Sequence, residues 1–142
     1  MENTQWQTTT IERFISAPRE RVWKAWVDPE QLVHWFTAGE GWTTPYAKVD
    51  VRAGGKFDIG FQSPDRKTDF PFAGTYDEIV EPEKIVFTIG DGRPVTVVFE
   101  DLGERTRIVL TLALEKIHSE EQQRQGWTAM LVHLADYIGT AK

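Results

Sequence analysis

Asp58, Asp77 and Glu78 stand in segments rich in aromatic and β-branched residues, a setting that raises the question of acid–base chemistry. A carboxyl group does such work when it reaches the reacting atom and its surroundings tune its pKa. Strand alternation can turn these side chains into a pocket or into water. They are candidates for polar cavity groups beside the plainer reading of solvated strand residues, with no catalytic residue assigned. His34, His118 and His133 are dispersed and lack the ligand spacing of a metal centre, so no metal is expected. His34 falls where a pocket edge is expected, and His133 on a solvent-facing part of a helix. Ser16, Ser63 and Ser119 suit caps or a loop, and no G-x-S-x-G elbow occurs. Gly39-Glu40-Gly41, Gly54-Gly55 and Gly90-Asp91-Gly92 complete neither a P-loop nor a dinucleotide fingerprint. They read as turns, and no cofactor is expected. Cysteine is absent, which removes disulfides, thiolate metal sites and a Cys nucleophile.

The elements that would position these groups are legible from periodicity. Residues 4–15 read as a strand, on the β-branched run around Thr8–Ile11. Ser16 is expected to cap a first helix, with Pro18 in its first turn and Val22, Trp23, Ala25 and Trp26 on its apolar side. Asp28-Pro29-Glu30-Gln31 predicts a second, short helix, with Asp28 as N-cap and Gln31 completing a capping box. Alternation then predicts strands around Ala47–Val51 and Phe57–Phe61, and over residues 70–81. In the last of these, Phe72, Gly74, Tyr76 and Glu78 are expected on one side. Strands around Ile85–Ile89, Val95–Phe99 and Thr106–Leu112 follow after compact turns. No long helical segment separates these strands, so an antiparallel meander is expected instead of βαβ units.

The period changes at Ser119. Ser119 and Gln122 have capping-box spacing, and Trp127, Leu131, Leu134 and Ile138 recur at helical intervals, widened by Met130 and Tyr137. Gly139 is expected to end this helix in a left-handed conformation. Gly126 sits in its interior, which signals local tolerance, close approach of another element or room for a cavity beside Trp127. An apolar stripe and a half-apolar sheet must each bury a face, so the sheet is expected to wrap the last helix.

The chain has 142 residues, enough for one domain with a core over about 7–138. Its formal net charge of −6 and the lack of a Lys/Arg cluster argue against a phosphate-backbone partner, so no nucleic acid is expected. The amino terminus lacks a positive region followed by an apolar run, and no stretch approaches membrane-spanning length. A cytoplasmic location is expected.

TIERFISAPRERVWKAWVDPEQLVHWF at 10–36, GGKFDIGF at 54–61, FAGTYDEIVEPEKIVFTI at 72–89, the strand pair at 94–112 and QGWTAMLVHLADYI at 125–138 together resemble one family. It is the activator of heat-shock-protein-90 ATPase homologue-like domain, within the START-like (SRPBCC) superfamily. The resemblance implies an α+β helix-grip fold, with a curved antiparallel sheet around a long C-terminal helix and two short helices after the first strand. It also implies a cavity between sheet and helix, which relatives use for lipids or other hydrophobic compounds. Some broader relatives perform cyclisation or dehydration. The chaperone activator carries an additional N-terminal domain, which is not expected ahead of Thr10 here.

Strand phase and family-like positions single out Trp35, Trp42, Phe57, Tyr76 and Trp127 as candidate cavity walls. Aromatic rings supply apolar area, and Trp and Tyr keep a polar tip for a ligand. The expected function is noncatalytic binding of a small hydrophobic or amphipathic ligand. The alternatives are a chaperone-regulating protein-interaction module and a cyclase- or dehydratase-like enzyme.

Overall fold

A computed structural model describes residues 6–39 and 41–140. The chain runs β1 (Thr8–Ile15), α1 (Arg19–Val27), α2 (Pro29–Trp35), β2 (Thr43–Val49), β3 (Lys56–Gln62), β4 (Asp69–Val80), β5 (Lys84–Ile89), β6 (Pro94–Asp101), β7 (Thr106–Ala113) and α3 (Glu120–Thr140). One seven-stranded sheet takes the order β1-β7-β6-β5-β4-β3-β2, and every neighbouring pair is antiparallel. The sheet is curved and packs against the helices, a helix-grip fold. Among the described residues no helix is long and apolar enough to cross a membrane.

Period-two patterning aims one side of each central strand inward. Val95, Val97 and Phe99 of β6 are buried, as are Thr106, Ile108, Leu110 and Leu112 of β7. Met130, Leu131, Leu134 and Ile138 of α3 join the same cluster. Each fully buried aliphatic side chain contributes about 1.5–3 kcal/mol before entropic costs. α1 is fastened to the sheet by aromatic rings, with the Trp23 and Trp26 ring centroids 5.3 and 5.6 Å from that of Phe99.

Helix ends follow local chemistry. The Ser119 hydroxyl accepts from the Gln122 amide at 3.1 Å, and the Ser119 amide donates to Gln122 Oε1 at 3.0 Å, a complete capping box. Asp28 caps α2 by accepting from the Glu30 amide at 3.0 Å. Its own amide is spent on the Lys24 carbonyl, closing α1, so Gln31 bonds the Asp28 carboxylate instead of completing a box.

Several expectations give way to tertiary contacts. Ser16 does not cap α1; Pro18 holds that position without a side-chain bond. The chain there is still tied to the sheet, because the Ala17 carbonyl accepts from the Thr106 hydroxyl at 2.8 Å. β2 spans Thr43–Val49, earlier than its alternation suggests, because Asp50 already begins the turn that Gly54 completes at φ +87°. Gly139 remains helical, since α3 continues through Thr140. Residues 4 and 5 of the expected first strand lie outside the described residues.

The largest departure is in β4. Its register with β5 shifts between Tyr76 and Glu78. Tyr76 lies opposite buried Phe87, whereas Glu78 lies opposite Val86 and Ile79 opposite buried Ile85. The irregularity thus places Glu78 on the outer face and separates it from Tyr76, with which simple alternation had grouped it.

Leu131 is 1% exposed. Leu131→Asp is expected to lower stability by about 3–5 kcal/mol in urea unfolding, the cost of an uncompensated buried charge. A Cβ added at Gly126 meets nothing within 4 Å. Gly126→Ala is therefore expected to raise stability by up to about 1 kcal/mol, read as a higher denaturation midpoint.

Candidate functional site

Sheet and helices leave a small space where their aromatic faces meet. Trp26, Leu32 and Phe36 bound it on the helical side, and Phe57, Ile59, Phe72, Tyr76 and Phe87 on the sheet side. Its volume, about 20 Å³, holds about one water-sized sphere. Tyr76 is 5% exposed, and its hydroxyl makes no hydrogen bond to a described residue. Burial, and then the charge of Asp50, push its pKa above the ordinary phenol value.

A larger hollow of about 340 Å³ opens beside this space. Phe61, Phe70 and Phe72 form its sheet wall, and Gly126, Trp127 and Met130 its α3 wall. Phe72 belongs to both spaces. Its ring centroid is 5.7 Å from Phe57 on the inner side and 6.0 Å from Trp127 on the outer side. It stands as an aromatic partition between the inner space and the hollow.

The rim of the hollow is polar. Arg93, at the β5–β6 turn, is held by its Nε, which donates to Asp91 Oδ2 at 2.8 Å. Glu115 and His118, in the segment that follows β7 at the same end of the β6–β7 pair, line the hollow as well. Glu115 Oε1 accepts from the amides of Ile117 and His118, each at 2.7 Å, and Oε2 lies 2.6 Å from His118 Nδ1. Desolvation by itself would raise the Glu115 pKa. The His118 amide, the His118 ring and the Ile117 amide outweigh it and hold that pKa below the ordinary carboxylate value. Gln123 staples this segment to α3. Its Oε1 accepts from the Glu115 amide at 3.0 Å, and its Nε2 donates to the carbonyls of Glu115 and His118 at 3.0 and 2.9 Å.

The sequence candidates divide among several places. Phe57 and Tyr76 line the inner space with ring centroids 5.2 Å apart, and Trp127 lines the larger hollow. Trp35 is fully buried behind Trp26, and its Nε1 donates to the Ala25 carbonyl at 3.0 Å. Trp42 lines a third, shallower hollow with His34, His133 and Tyr137. His133, expected in solvent, is half-buried there because α3 turns that side toward the α2 end of the fold. Its Nδ1 and the hydroxyl of Thr37 are buried without a partner among the described residues.

The three carboxylates lie on the sheet face away from α3. Asp58 accepts from the Tyr46 hydroxyl at 3.0 Å, beside the Tyr46 ring that covers Gly60. Asp77 accepts from the Thr88 hydroxyl at 2.6 Å, and Glu78 lies 3.3 Å from Lys84 Nζ.

Phe72, Arg93, Glu115, His118 and Gln123 are the site residues that sequence patterning did not single out. Phe72 is one apolar ring among many in the sequence. Glu115 and His118 did carry a local signal, a Glu-x-x-His spacing directly ahead of the Ser119 cap. No group of His, Asp and Glu among the described residues is arranged to hold a metal ion.

Residues 16–139 match the profile of the family described as Activator of Hsp90 ATPase homolog 1-like protein. The chain belongs to this family. Its START-like architecture recurs in solved members and neighbours. The AHSA1-like protein of Aeromonas hydrophila is 32% identical, with 95% of this chain and 94% of that chain covered and a TM-score of 0.90. Chr148 of Cytophaga hutchinsonii is 36% identical, with 91% and 90% covered and a TM-score of 0.78. Protein CV1439 of Chromobacterium violaceum is 28% identical, with 92% and 96% covered and a TM-score of 0.80. A search of curated proteins finds no match.

The rim geometry sets a pH dependence. Glu115 has a lowered pKa in the folded state, so its stabilising contribution is complete above the unfolded-chain carboxylate pKa. That contribution is lost as pH falls through the lower folded value. Glu115→Gln is expected to reduce the acid-side loss of stability, read as urea midpoints compared between about pH 6 and pH 3.

Proposed function

We propose that this protein binds a small hydrophobic or amphipathic compound, without chemistry on it, at the seam between the sheet and α3. The observation that carries the reading is the aromatic-walled hollow of about 340 Å³, backed through Phe72 by the inner space. Its volume falls within the range of about 300–1,000 Å³ common for small-molecule sites. Apolar walls with a few fixed polar groups at the rim are the composition that binds such compounds and orients them.

In this reading Trp127 contacts the ligand directly. Phe57 and Tyr76 lie behind Phe72 and receive any part of the ligand that displaces its ring. Trp35 supports the wall through Trp26, and Trp42 serves the neighbouring hollow. Asp58, Asp77 and Glu78 take no part. We place this binding in the cytoplasm on sequence grounds.

The family description motivates a second reading, contact with a chaperone and regulation of its ATPase. Phe14 on edge strand β1 is 50% exposed, with the Arg105 guanidinium 5.0 Å from its ring centroid, and offers an anchor for such a contact. Titration with the middle segment of Hsp90 tests it, and an absence of saturable binding and ATPase modulation removes it.

For the favoured reading, 1-octanol titrated into the isotopically labelled protein is expected to shift the Trp127 indole and the Gly126 amide saturably. Gly126→Leu, which adds an isobutyl group at the wall of the hollow, is expected to weaken binding about tenfold or more, a loss of roughly 1.4 kcal/mol. Shifts that are absent, or that are unaffected by this replacement, would reject the site.

A further inference from the structure

The preferred ligand follows from Arg93. Its side chain is only 16% exposed, yet it lines a hollow that it shares with the rings of Phe61, Phe70, Phe72 and Trp127. Asp91 engages its Nε, and Asp91 itself is 50% exposed at the side chain. The two terminal guanidinium nitrogens have no hydrogen-bond partner among the described residues. A largely covered cation with open donors beside an apolar surface is matched by an anion attached to an apolar chain.

Glu115 lines the same hollow but forms no ion pair with Arg93 among the described residues. Both of its oxygens are occupied within its own segment, by the Ile117 and His118 amides and the His118 ring. Gln122 adds a donor on the α3 side, because its Oε1 is tied to the Ser119 amide and its Nε2 has no partner among the described residues. Arg93 is the one Lys or Arg among the described lining residues. Arg93 is already paired with Asp91, so one added negative charge is tolerated better than the two of a phosphate dianion beside Asp91 and Glu115. The planar guanidinium fork also matches the two oxygens of a carboxylate.

We infer that the hollow takes an amphipathic carboxylic acid, its carboxylate on the terminal nitrogens of Arg93 and its chain along Phe72 and Trp127. This inference rests on the binding reading above and adds the head group. Water hydrates a carboxylate better than a hydroxyl, so an apolar hollow alone favours an alcohol over the acid of equal chain length. A preference for the acid therefore reports the cation.

The test compares octanoate with 1-octanol, each titrated at neutral pH into the labelled wild-type protein and into Arg93→Gln and Arg93→Lys. The Trp127 indole resonance is followed in all three proteins, and the Arg93 Nε resonance in wild type. Octanoate is expected to bind wild type about tenfold or more tightly than octanol, a difference of roughly 1.4 kcal/mol. Arg93→Gln is expected to abolish that preference by weakening octanoate far more than octanol, and Arg93→Lys to retain part of it. Equal or weaker binding of octanoate by wild type overturns the head-group assignment while hydrophobic binding stands. Failure of both compounds to bind overturns the assignment and the underlying reading together. Should Arg93→Gln fail to fold, the acid–alcohol comparison in wild type and in Arg93→Lys still decides.

Discussion

The apolar stripe of α3 has to leave water, and the inner face of the sheet has to do the same. Their mutual burial sets the positions of nearly everything else. Leu131 and Leu134 on α3, and Ile108, Leu110 and Leu112 on β7, are almost wholly withdrawn from solvent. Hydrophobic burial is proportional to area and has no direction of its own, so the direction comes from the backbone. A curved antiparallel sheet and a straight helix cannot meet flush along their whole length. Contact is close near β1, α1 and α2, where α3 packs against all of them. Space remains near the start of α3, and the hollow lies there.

Aromatic residues make that space usable. Edge-on and tilted rings leave gaps that aliphatic side chains would fill. Phe72 is central because its ring meets Phe36, Phe57, Phe61, Phe87 and Trp127. A ring at such a junction is held from several sides, yet Phe72 is only half-buried. It closes the inner space and walls the outer one with a single side chain.

Polar groups fix the rim by saturating one another. The Ser119–Gln122 capping box starts α3, Gln123 holds the preceding segment against it, and Glu115 orients His118. Each bond contributes little net stability, on the order of 1 kcal/mol. Their joint effect is geometric, because the segment that lines the hollow with Arg93 is pinned at both ends. The outer face of the sheet shows the opposite use of charge. Arg107 bridges Glu12 and Glu100 across adjacent strands, and these partners raise its pKa while Arg107 lowers that of Glu12. Such exposed pairs help set strand register and contribute little to stability.

The order and type of the elements are legible in the sequence, because strand alternation, helical spacing and the Asp28 and Ser119 caps are local and repeat within a few residues. The sequence also shows which faces of β6, β7 and α3 are apolar, and hence that the sheet must enclose the last helix. Which residues meet across the seam emerges from packing alone. Trp35, Trp42 and Trp127 look equivalent as residue types, yet one is core, one faces a shallow hollow and one walls the proposed site. The irregularity in β4 arises from pairing with β5, and a single shifted residue sends Glu78 to the far face. Arg93 and Glu115 lie at the same end of the β6–β7 pair, where Val95 lies opposite Leu112, and they become part of one hollow only when α3 packs beside that end. Local pattern reports how a segment meets its own neighbours, whereas a binding site is made by segments that carry no mutual signal until they are packed.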